Sequence, residues 1–547
     1  MTMKKYKALK YWLPLITAAI FMLGTLFGIW ISRPAQLSDG RQKLAELFEI
    51  IEENYVDTVD IDSLIEKSLP GILSCLDPHS AYIPLSELED ANSELEGSFG
   101  GIGIQFQVYR DTVCVVEVID GGPSEKVGMM PGDRIIAIDG KPFSVKELGG
   151  DEEVRNRLRG KNGTKVSLTV LRNGKKINFD ITRGNIPLVT VDSKYMLDDS
   201  TGYVRVSRFA KTTYHEFLNA LSELHHKGAA DFVIDLRGNT GGYMETAILM
   251  VNEFLPGGKV IVGTRGRDAD NDQMVISDGN GAFQDARVAV LIDEMSASSS
   301  EIFSGALQDN DRGLIIGRRS FGKGLVQKPI NLTDGSELRL TVQRYFTPSG
   351  RFIQKEYKPG DNDKYEYEIY ERYRSGEIMN ADSVKLHKEL MFKTEGGRTV
   401  YGGGGIMPDV FVPNDTTGIT GYYVNVFNAG LLQKFAYEYA DLNRATLHKV
   451  KTVNELLRQL PSDNVLLSSF AHFAASNGVP ARWYYLNLSS TLIVTQLKAL
   501  IARNVLGVSA YYEIENSIDR NITVAMDKLK SGEVDFPIKA INHPEKK

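Results

Sequence analysis

The residues with the most evident chemistry lie between Met295 and Gln327, where a run of serines precedes a lysine that stands between two glycines. The serine run, SASSS at 296–300, follows a predicted strand, Val288–Ile292, and precedes apolar residues at helical spacing. A serine at the start of a helix lies beside free N–H groups and the positive end of the helix dipole, which can hold an oxyanion. Glycine on both sides of Lys323 lets other backbone approach and exclude water, which lowers the pKa of the lysine and lets it act as a base. The two features predict a Ser-Lys hydrolase.

The same stretch carries three competing patterns. Gly317-x4-Gly322-Lys323 mimics a phosphate-binding P-loop, but Gly324 stands where a Mg²⁺-binding Ser or Thr is required. Ser320-x-x-Lys323 matches the S-x-x-K of penicillin-binding proteins, which needs a helix that this glycine-rich segment is poorly suited to form. The serine run can also supply helix-capping hydroxyls, and taken alone this interpretation is favoured.

The order of the motifs SASSSEI, ALQD, SFGKGLVQ and DGSELRLTVQRYFTPSGR resembles the core of the carboxyl-terminal processing peptidases, also called tail-specific proteases. In that family's pattern the middle serine of S-A-S-x-S-E is the nucleophile, and a lysine and a glutamine follow at fixed spacing. The resemblance therefore implies that Ser298 is the nucleophile, Lys323 the general base and Gln327 the residue that orients the lysine amine. Because all three fall in register with the flanking segments, the capping interpretation is disfavoured. Ser299 stands where alanine is usual, and its backbone N–H would serve the oxyanion hole.

A second part of the oxyanion hole is implied by the segment DFVIDLRGNTGG, residues 231–242. Its apolar run predicts a buried strand that enters a glycine turn and then a helix. In the family, the R-x-N-x-G-G part of this segment supplies the second oxyanion N–H, which here falls on Gly241 or Gly242. We expect an α/β serine-protease core over 185–413, with a crotonase-like ββα architecture by resemblance. An insertion over 361–395, rich in Tyr, Glu and Lys, is interpreted as solvated surface.

Residues 97–183 resemble a PDZ domain, a β-rich module with two helices. A glycine-rich start leads into an alternating strand, and the run MPGDRIIAIDG at 130–140 is typical of the module. In such a domain the glycine-rich loop presents N–H groups to the terminal carboxylate of a peptide, which adds to the sheet as a strand. The loop implied here is Gly101, Ile102, Gly103 and Ile104. The expected partners are protein or peptide substrates with a free C-terminal carboxylate.

The N-terminus predicts a targeting signal. Four lysines precede Tyr11–Ile31, an uncharged, mostly apolar run of 21 residues that would be about 31 Å long as a helix. We expect residues 1–32 to form a cytoplasmic N-terminus and an uncleaved single-pass anchor in the inner membrane, with a cleaved signal peptide as the alternative. The lipid bilayer would then be a partner, and the catalytic part would lie in the periplasm or another extracytoplasmic space.

The remaining segments are predicted to be helical. Residues 38–96 carry apolar residues at helical spacing, interrupted by LDPHSAYIP at 76–84, where His79 is expected to satisfy a turn or a domain contact. Residues 415–547 form a predicted helical extension outside the resemblance. Such extensions commonly pack on their own domain or on a partner protomer, so a homo-oligomer is a possible assembly.

Composition sets the broad class of the chain. With 547 residues, 42% of them apolar and 24% charged, it is large enough for about three or four domains. A net charge of −7 gives no basic surface for nucleic acid. Cys75 and Cys114 fall in different predicted domains, and no metal-binding motif occurs, so we expect neither a disulfide framework nor a metal or other cofactor.

These features together predict a multidomain α/β serine endopeptidase that binds the C-terminal tails of its substrates and cleaves them with a Ser-Lys dyad. The alternative is a membrane-anchored PDZ scaffold whose protease core is inactive. The intact set of Ser298, Lys323 and Gln327 favours the enzyme, because a scaffold would need none of them. A hydrolase of small esters is disfavoured because it would not need a domain that recognises peptide carboxylates.

Overall fold

The computed structural model describes residues 12, 14, 17–25 and 39–534. The chain divides into two units, residues 1–72 and 73–547, and each is described by itself. The first unit contains the helix Asp39–Asn54 and most of the helix Ile61–Ser74.

The predicted anchor at Tyr11–Ile31 is contradicted. None of the helices in the described ranges is long and apolar enough to cross a membrane. Within this run, residues 11, 13, 15–16 and 26–31 lie outside the described residues. The predictions of a single-pass anchor and of an inner-membrane location are therefore wrong, and the lipid bilayer as a partner and the periplasmic catalytic part, which rested on that anchor, lose their support.

In the second unit, the predicted PDZ region folds as an antiparallel sheet of six strands. In spatial order its main strands are Ile104–Tyr109, Thr112–Val118, Arg134–Ile138, Lys165–Arg172 and Lys175–Thr182, and Lys141–Pro142 pairs with the third. Its helices are Pro123–Lys126, Val145–Leu148 and Asp151–Leu158. Asn173 and Gly174 both have positive φ, 49° and 75°, which is the type I′ turn that an Asn-Gly pair favours.

The predicted protease core is built on a second six-stranded sheet. Its strands in spatial order are Val191–Met196, Thr201–Val206, Asp231–Asp235, Arg287–Ile292, Leu314–Gly317 and Val410–Phe411. The first pair is antiparallel and the others are parallel. The central strands are apolar on both faces because parallel sheets are covered by helices on both sides.

Two sets of helices cover this sheet. One face packs against the helices Thr213–His226, Met244–Asn252 and Ser299–Asp309 through buried residues such as Phe217 and Phe303. The other face, which includes Ala289 and Leu291, packs against Arg520–Ser531. The last described helix of the C-terminal extension therefore covers the second face of the core sheet.

A five-stranded antiparallel sheet, whose strands alternate along the chain with those of the core sheet, positions the predicted lysine and glutamine. Its strands are Ala81–Ile83, Val260–Gly266, Gln273–Ile276, Leu325–Asn331 and Glu337–Phe346. Lys323 lies two residues before Leu325–Asn331, and Gln327 lies within that strand. Because Ala81–Ile83 pairs with Glu337–Phe346, the turn at Asp77–Ser80 is brought beside Gln327.

Two small antiparallel ribbons complete the strands: Ser98–Gly101 with Gly184–Pro187, and Met391–Lys393 with Thr399–Tyr401. The other helices are Leu85–Glu96, Asn362–Arg374, Gly421–Asn428, Leu431–Leu442, Arg444–Leu447, Val453–Gln459, Asp463–Ser476, Trp483–Leu488, Ser490–Leu506 and Val508–Glu515. Those after residue 420 share an apolar core of their own. They contact the PDZ region through an Arg134–Asp441 ion pair of 2.8 Å and a hydrogen bond from the Tyr109 hydroxyl to Glu438.

The insertion at 361–395 is not simply solvated surface, as its composition suggested. Its helix, Asn362–Arg374, buries Tyr365 and Arg372 to 4% and 3% exposure, while Tyr367 and Tyr370 are 65% and 62% exposed. One face of this helix therefore packs against the protein.

Candidate active site

Ser298 lies at the junction between the core sheet and a helix. It follows the strand Arg287–Ile292 and caps the N-terminus of the helix Ser299–Asp309. Its backbone φ of 54° lies in the region that residues other than glycine rarely adopt, so the turn is strained. The residue is half-buried, and the first N–H groups of the helix lie beside it. This is a position in which a nucleophile and an oxyanion site can share one turn.

Lys323 is the half-buried lysine of the Ser320–Gly324 loop. Its Nζ donates to Oε1 of Gln327 at 3.2 Å, and Nε2 of Gln327 donates to the backbone carbonyl of His79 at 2.9 Å. Because the amide NH₂ is engaged by His79, the carbonyl end of the amide faces the lysine. Burial lowers the pKa of Lys323, while the negative charges of Glu301 and Asp77 oppose that shift.

The carboxylate of Glu301 links the serine turn to the lysine loop. It is fully buried, and its Oε2 accepts the backbone N–H groups of Ser298 and Lys323 at 2.9 and 2.8 Å. Its Oε1 accepts the N–H of Gly322 at 2.7 Å and the hydroxyl of Ser320. The backbone nitrogens of Ser298 and Lys323 are therefore within two hydrogen-bond lengths of each other.

Tyr345 makes a second link between the same two residues. Its hydroxyl oxygen lies 3.0 Å from the carbonyl oxygen of Ser298 and 2.5 Å from that of Lys323. Burial raises the pKa of this phenol, so it stays protonated and able to donate. Neither Glu301 nor Tyr345 was predicted from the sequence to belong to the site. The S-x-x-E spacing of Ser298 and Glu301, typical of a capping box, was a signal for the first; no signal pointed to the second.

The structure brings Ser298, Lys323 and Gln327 into one site but does not close the dyad. Within the described ranges, no hydrogen bond joins Oγ of Ser298 to Nζ of Lys323. Catalytic hydrogen bonds in enzymes without substrate are often long and tighten only in the complex.

The three predicted oxyanion residues also lie together. A Cβ built on Gly241 would be 2.7 Å from Cβ of Ser298 and 3.1 Å from the backbone nitrogen of Ser299. The N–H of Gly241 is engaged by Oδ1 of Asn239 at 2.9 Å, and Gly241 is buried. Gly242 is half-buried, and its N–H and that of Ser299 donate to no acceptor among the residues the structure describes. These two N–H groups are the ones left to bind an oxyanion.

We predict that Gly241→Ala lowers kcat by about 100-fold, because the added methyl would displace Ser298 and Ser299 from the oxyanion site. Steady-state cleavage rates check this. Gly238→Ala is the matched control, since Gly238 also has positive φ, 71°, but a Cβ there meets nothing within 4 Å. Equal losses in the two variants would show that backbone strain, and not the contact with Ser298, is responsible.

The predicted peptide-binding loop lines a separate groove. Gly101, Ile102, Gly103 and Ile104 border a cavity of about 270 Å³. The rest of its lining is Phe99, Gln105, Phe106, Arg155, Leu158 and Arg159. The guanidinium of Arg159 lies 4.5 Å from the ring centre of Phe99. No hydrogen bond of the described residues connects this groove directly to Ser298 or Lys323.

Profiles of known families match three parts of the chain. Peptidase family S41 matches residues 200–361, a PDZ domain matches residues 100–182, and a family of unknown function matches residues 422–507. The chain is therefore a multidomain α/β serine-type peptidase with an S41 core and a PDZ domain.

Curated relatives define the family further. A carboxy-terminal-processing protease of Bartonella bacilliformis is 39% identical over 57% of this chain and 72% of its own length. The carboxy-terminal processing protease CtpA of Bacillus subtilis is 35% identical over 63% of this chain and 74% of its own. A solved photosystem II D1 C-terminal processing protease is 26% identical over 58% of this chain and 91% of its own, with a TM-score of 0.33. The chain belongs to the carboxy-terminal processing proteases, which confirms the predicted family and enzyme class.

Proposed function

We propose that the enzyme cleaves protein substrates with a Ser298–Lys323 dyad and binds their free C-terminal tails in the PDZ groove. The observation that carries the dyad is the shared oxygen of Glu301, which accepts the N–H groups of both residues at 2.9 and 2.8 Å. A carboxylate that holds two distant loops together in this way fixes the nucleophile and the base relative to each other.

In the proposed first step, neutral Lys323 takes the proton of the Ser298 hydroxyl as Oγ attacks the scissile carbonyl carbon. Gln327 orients the lysine amine through the bond from Nζ to Oε1. The N–H groups of Gly242 and Ser299 hold the negatively charged oxygen of the tetrahedral intermediate. We favour Gly242 over Gly241 because the N–H of Gly241 already donates to Asn239.

The acyl-enzyme then forms and is hydrolysed. The C–N bond breaks as the lysine ammonium returns its proton to the leaving amine, which leaves the substrate acyl group as an ester on Ser298. Lys323, neutral again, takes a proton from water, and the resulting nucleophile attacks the ester. As the second intermediate collapses, the ester C–O bond breaks and the lysine ammonium returns its proton to Oγ, which releases the new C-terminus and restores the Ser298 hydroxyl and the neutral lysine.

Tail binding is supported by the loop at Gly101–Ile104 and by the basic residues beside it. Arg155 and Arg159 line the same cavity, so a terminal carboxylate bound there meets positive charge as well as backbone N–H groups. The apolar walls of the cavity, such as Ile102 and Leu158, favour an apolar last residue.

We also propose the domain division 38–96, 97–183, 185–413 and 415–547, for a helical region, a PDZ domain, the protease core and a helical extension. It is supported by separate apolar clusters in the last three segments. Two segments depart from this division. The apolar side of the helix Arg520–Ser531 packs on the core sheet, and the strand Ala81–Ile83 pairs with Glu337–Phe346.

The test is the cleavage of an unstructured protein with an apolar tail, compared with the same protein amidated at its C-terminus. We expect the free tail to be bound and the protein cleaved, and we expect amidation to raise KM about tenfold or more through loss of the charged contact. Equal cleavage of both forms would refute tail recognition through the carboxylate. Binding of the free tail without cleavage would instead support an inactive scaffold.

A further inference from the structure

The helix Asn362–Arg374 packs against the loop that carries Lys323. It begins beyond residue 361, where the match to Peptidase family S41 ends. Its two most buried residues, Tyr365 and Arg372, both face the active-site region. The helix therefore lies outside the segment matched to the family and contacts the loop that carries Lys323.

Arg372 holds the backbone just before Lys323. Its Nη1 donates to the carbonyl of Ser320 at 2.8 Å, and its Nη2 donates to the carbonyl of Phe321 at 3.0 Å. Its Nε pairs with Glu368 one turn earlier at 2.8 Å, which keeps the guanidinium in place. Since a guanidinium stays charged and planar, it can fix both carbonyl groups at once.

Tyr365 reaches the same site by way of His79. Its hydroxyl lies 2.8 Å from Nε2 of His79, and the two rings meet edge to face. The backbone N–H of His79 donates to Asp77 at 2.9 Å, and the backbone carbonyl of His79 accepts the amide of Gln327. Gln327 in turn contacts Lys323. Tyr365 is thus three contacts away from the amine of the lysine.

A buried lysine holds the helix against the loop. Nζ of Lys355 lies 3.9 Å from the ring centre of Phe321 and 4.2 Å from that of Tyr365, and it pairs with Glu368 at 3.1 Å. Desolvated cation–π contacts of this kind stabilise a fixed packing.

We propose that Tyr365 and Arg372 are positioning residues for the general base: Arg372 fixes the backbone that leads into Lys323, and Tyr365 holds His79 so that its carbonyl orients Gln327. This inference rests on the proposed function, in which Lys323 is the general base. It assigns a catalytic purpose to an insertion that composition alone places on the surface.

The charged groups that act on Lys323 are Glu301, Asp77 and Arg339, and the lysine in turn acts on the imidazole of His79. Burial and the neighbouring charge of Lys323 lower the pKa of His79 to about 3, so His79 is neutral wherever the lysine titrates. Tyr365→Phe removes one hydroxyl and no charge. A change in the pH profile of that variant therefore reports geometry and water access at Lys323. Because burial is the largest cause of the lowered lysine pKa, loosening Gln327 should raise that pKa.

The experiment compares the intact enzyme with Tyr365→Phe and with Tyr367→Phe, the same change on the exposed side of the same helix. For Tyr365→Phe we expect kcat to fall about tenfold with KM within about twofold, and the rising limb of the pH–rate profile to move to higher pH. Tyr367→Phe should have the wild-type kcat, KM and pH–rate profile. Arg372→Lys keeps the positive charge but loses the planar guanidinium that donates to two carbonyl groups. Its kcat should be higher than that of Arg372→Met, because the lysine can still reach one of the two carbonyl groups.

Two results would overturn the inference, and they differ from failure of the proposed function. Wild-type kcat and pH profile in Tyr365→Phe, with Lys323→Ala inactive, would refute the positioning role and leave the dyad intact. If Tyr365→Phe does not fold, Arg372→Lys and Arg372→Met decide: equal kcat in both would refute the role. Activity in Lys323→Ala would refute the dyad itself.

Discussion

Lys323→Ala should abolish peptide-bond cleavage while leaving tail binding unchanged. The lysine is the only base assigned to the Ser298 hydroxyl, so its loss removes proton transfer in both acylation and deacylation, an effect of about 10³-fold or more. The PDZ groove shares no residue with the site, so a fluorescent tail peptide should bind the variant with the wild-type Kd. Lys328→Ala, an exposed lysine on the following strand, is the matched control and should keep full activity.

The lowered pKa of Lys323 also predicts the direction in which activity changes with pH. Because the proposed base is the neutral amine, kcat/KM should rise with pH through the lowered pKa of the lysine, which lies below the ordinary value of 10.5. The unfolded chain binds the lysine proton more tightly than the folded chain. The lysine's contribution to stability is therefore complete above pH 10.5 and is lost as the pH falls through the lowered pKa. A flat profile with chemistry rate-limiting would contradict a lysine base.

Glu301→Gln should be the most damaging conservative change in the core. It replaces an acceptor-only carboxylate with an amide, so one NH₂ group must face buried N–H or O–H donors. Leaving buried donors unsatisfied costs about 1–3 kcal/mol each, so we expect the free energy of unfolding to fall by roughly 2–4 kcal/mol. The link between Ser298 and Lys323 would loosen as well, and kcat/KM should fall about 100-fold.

Urea unfolding and steady-state kinetics check this prediction together. Glu371→Gln, an exposed change on the helix Asn362–Arg374, is the control and should alter neither quantity. Wild-type stability and activity in Glu301→Gln would mean that the carboxylate does not hold the two loops together.

The candidate site residues could be named from the sequence because they lie in short motifs with fixed spacing. The structure places Ser298, Lys323 and Gln327 close together, and their catalytic roles stay predictions. The family and the peptidase class were likewise predicted and are confirmed by the relatives. The turn at Asn173-Gly174 has the positive φ angles that an Asn-Gly pair favours, since such a turn depends only on neighbouring residues.

Features that depend on distant packing were not predictable. The capping spacing of Ser298 and Glu301 gave no sign that the same carboxylate accepts N–H groups from Gly322 and Lys323. Buried residues that fix backbone carbonyls, such as Arg372, look like surface residues in composition. The apolar run at the N-terminus led to a wrong prediction. Its composition suggested a membrane span, but no described helix is long and apolar enough to provide one.

The most direct test of the dyad is the cleavage of a substrate with a free C-terminal tail by the wild type, Ser298→Ala and Ser300→Ala, followed by mass spectrometry. Ser300 is two residues from Ser298 in the same run, and its hydroxyl is bonded to the carbonyl of Asn239 at 2.8 Å. We predict product fragments from the wild type and from Ser300→Ala, and none from Ser298→Ala. Fragments from Ser298→Ala at the wild-type rate would show that the nucleophile is another residue.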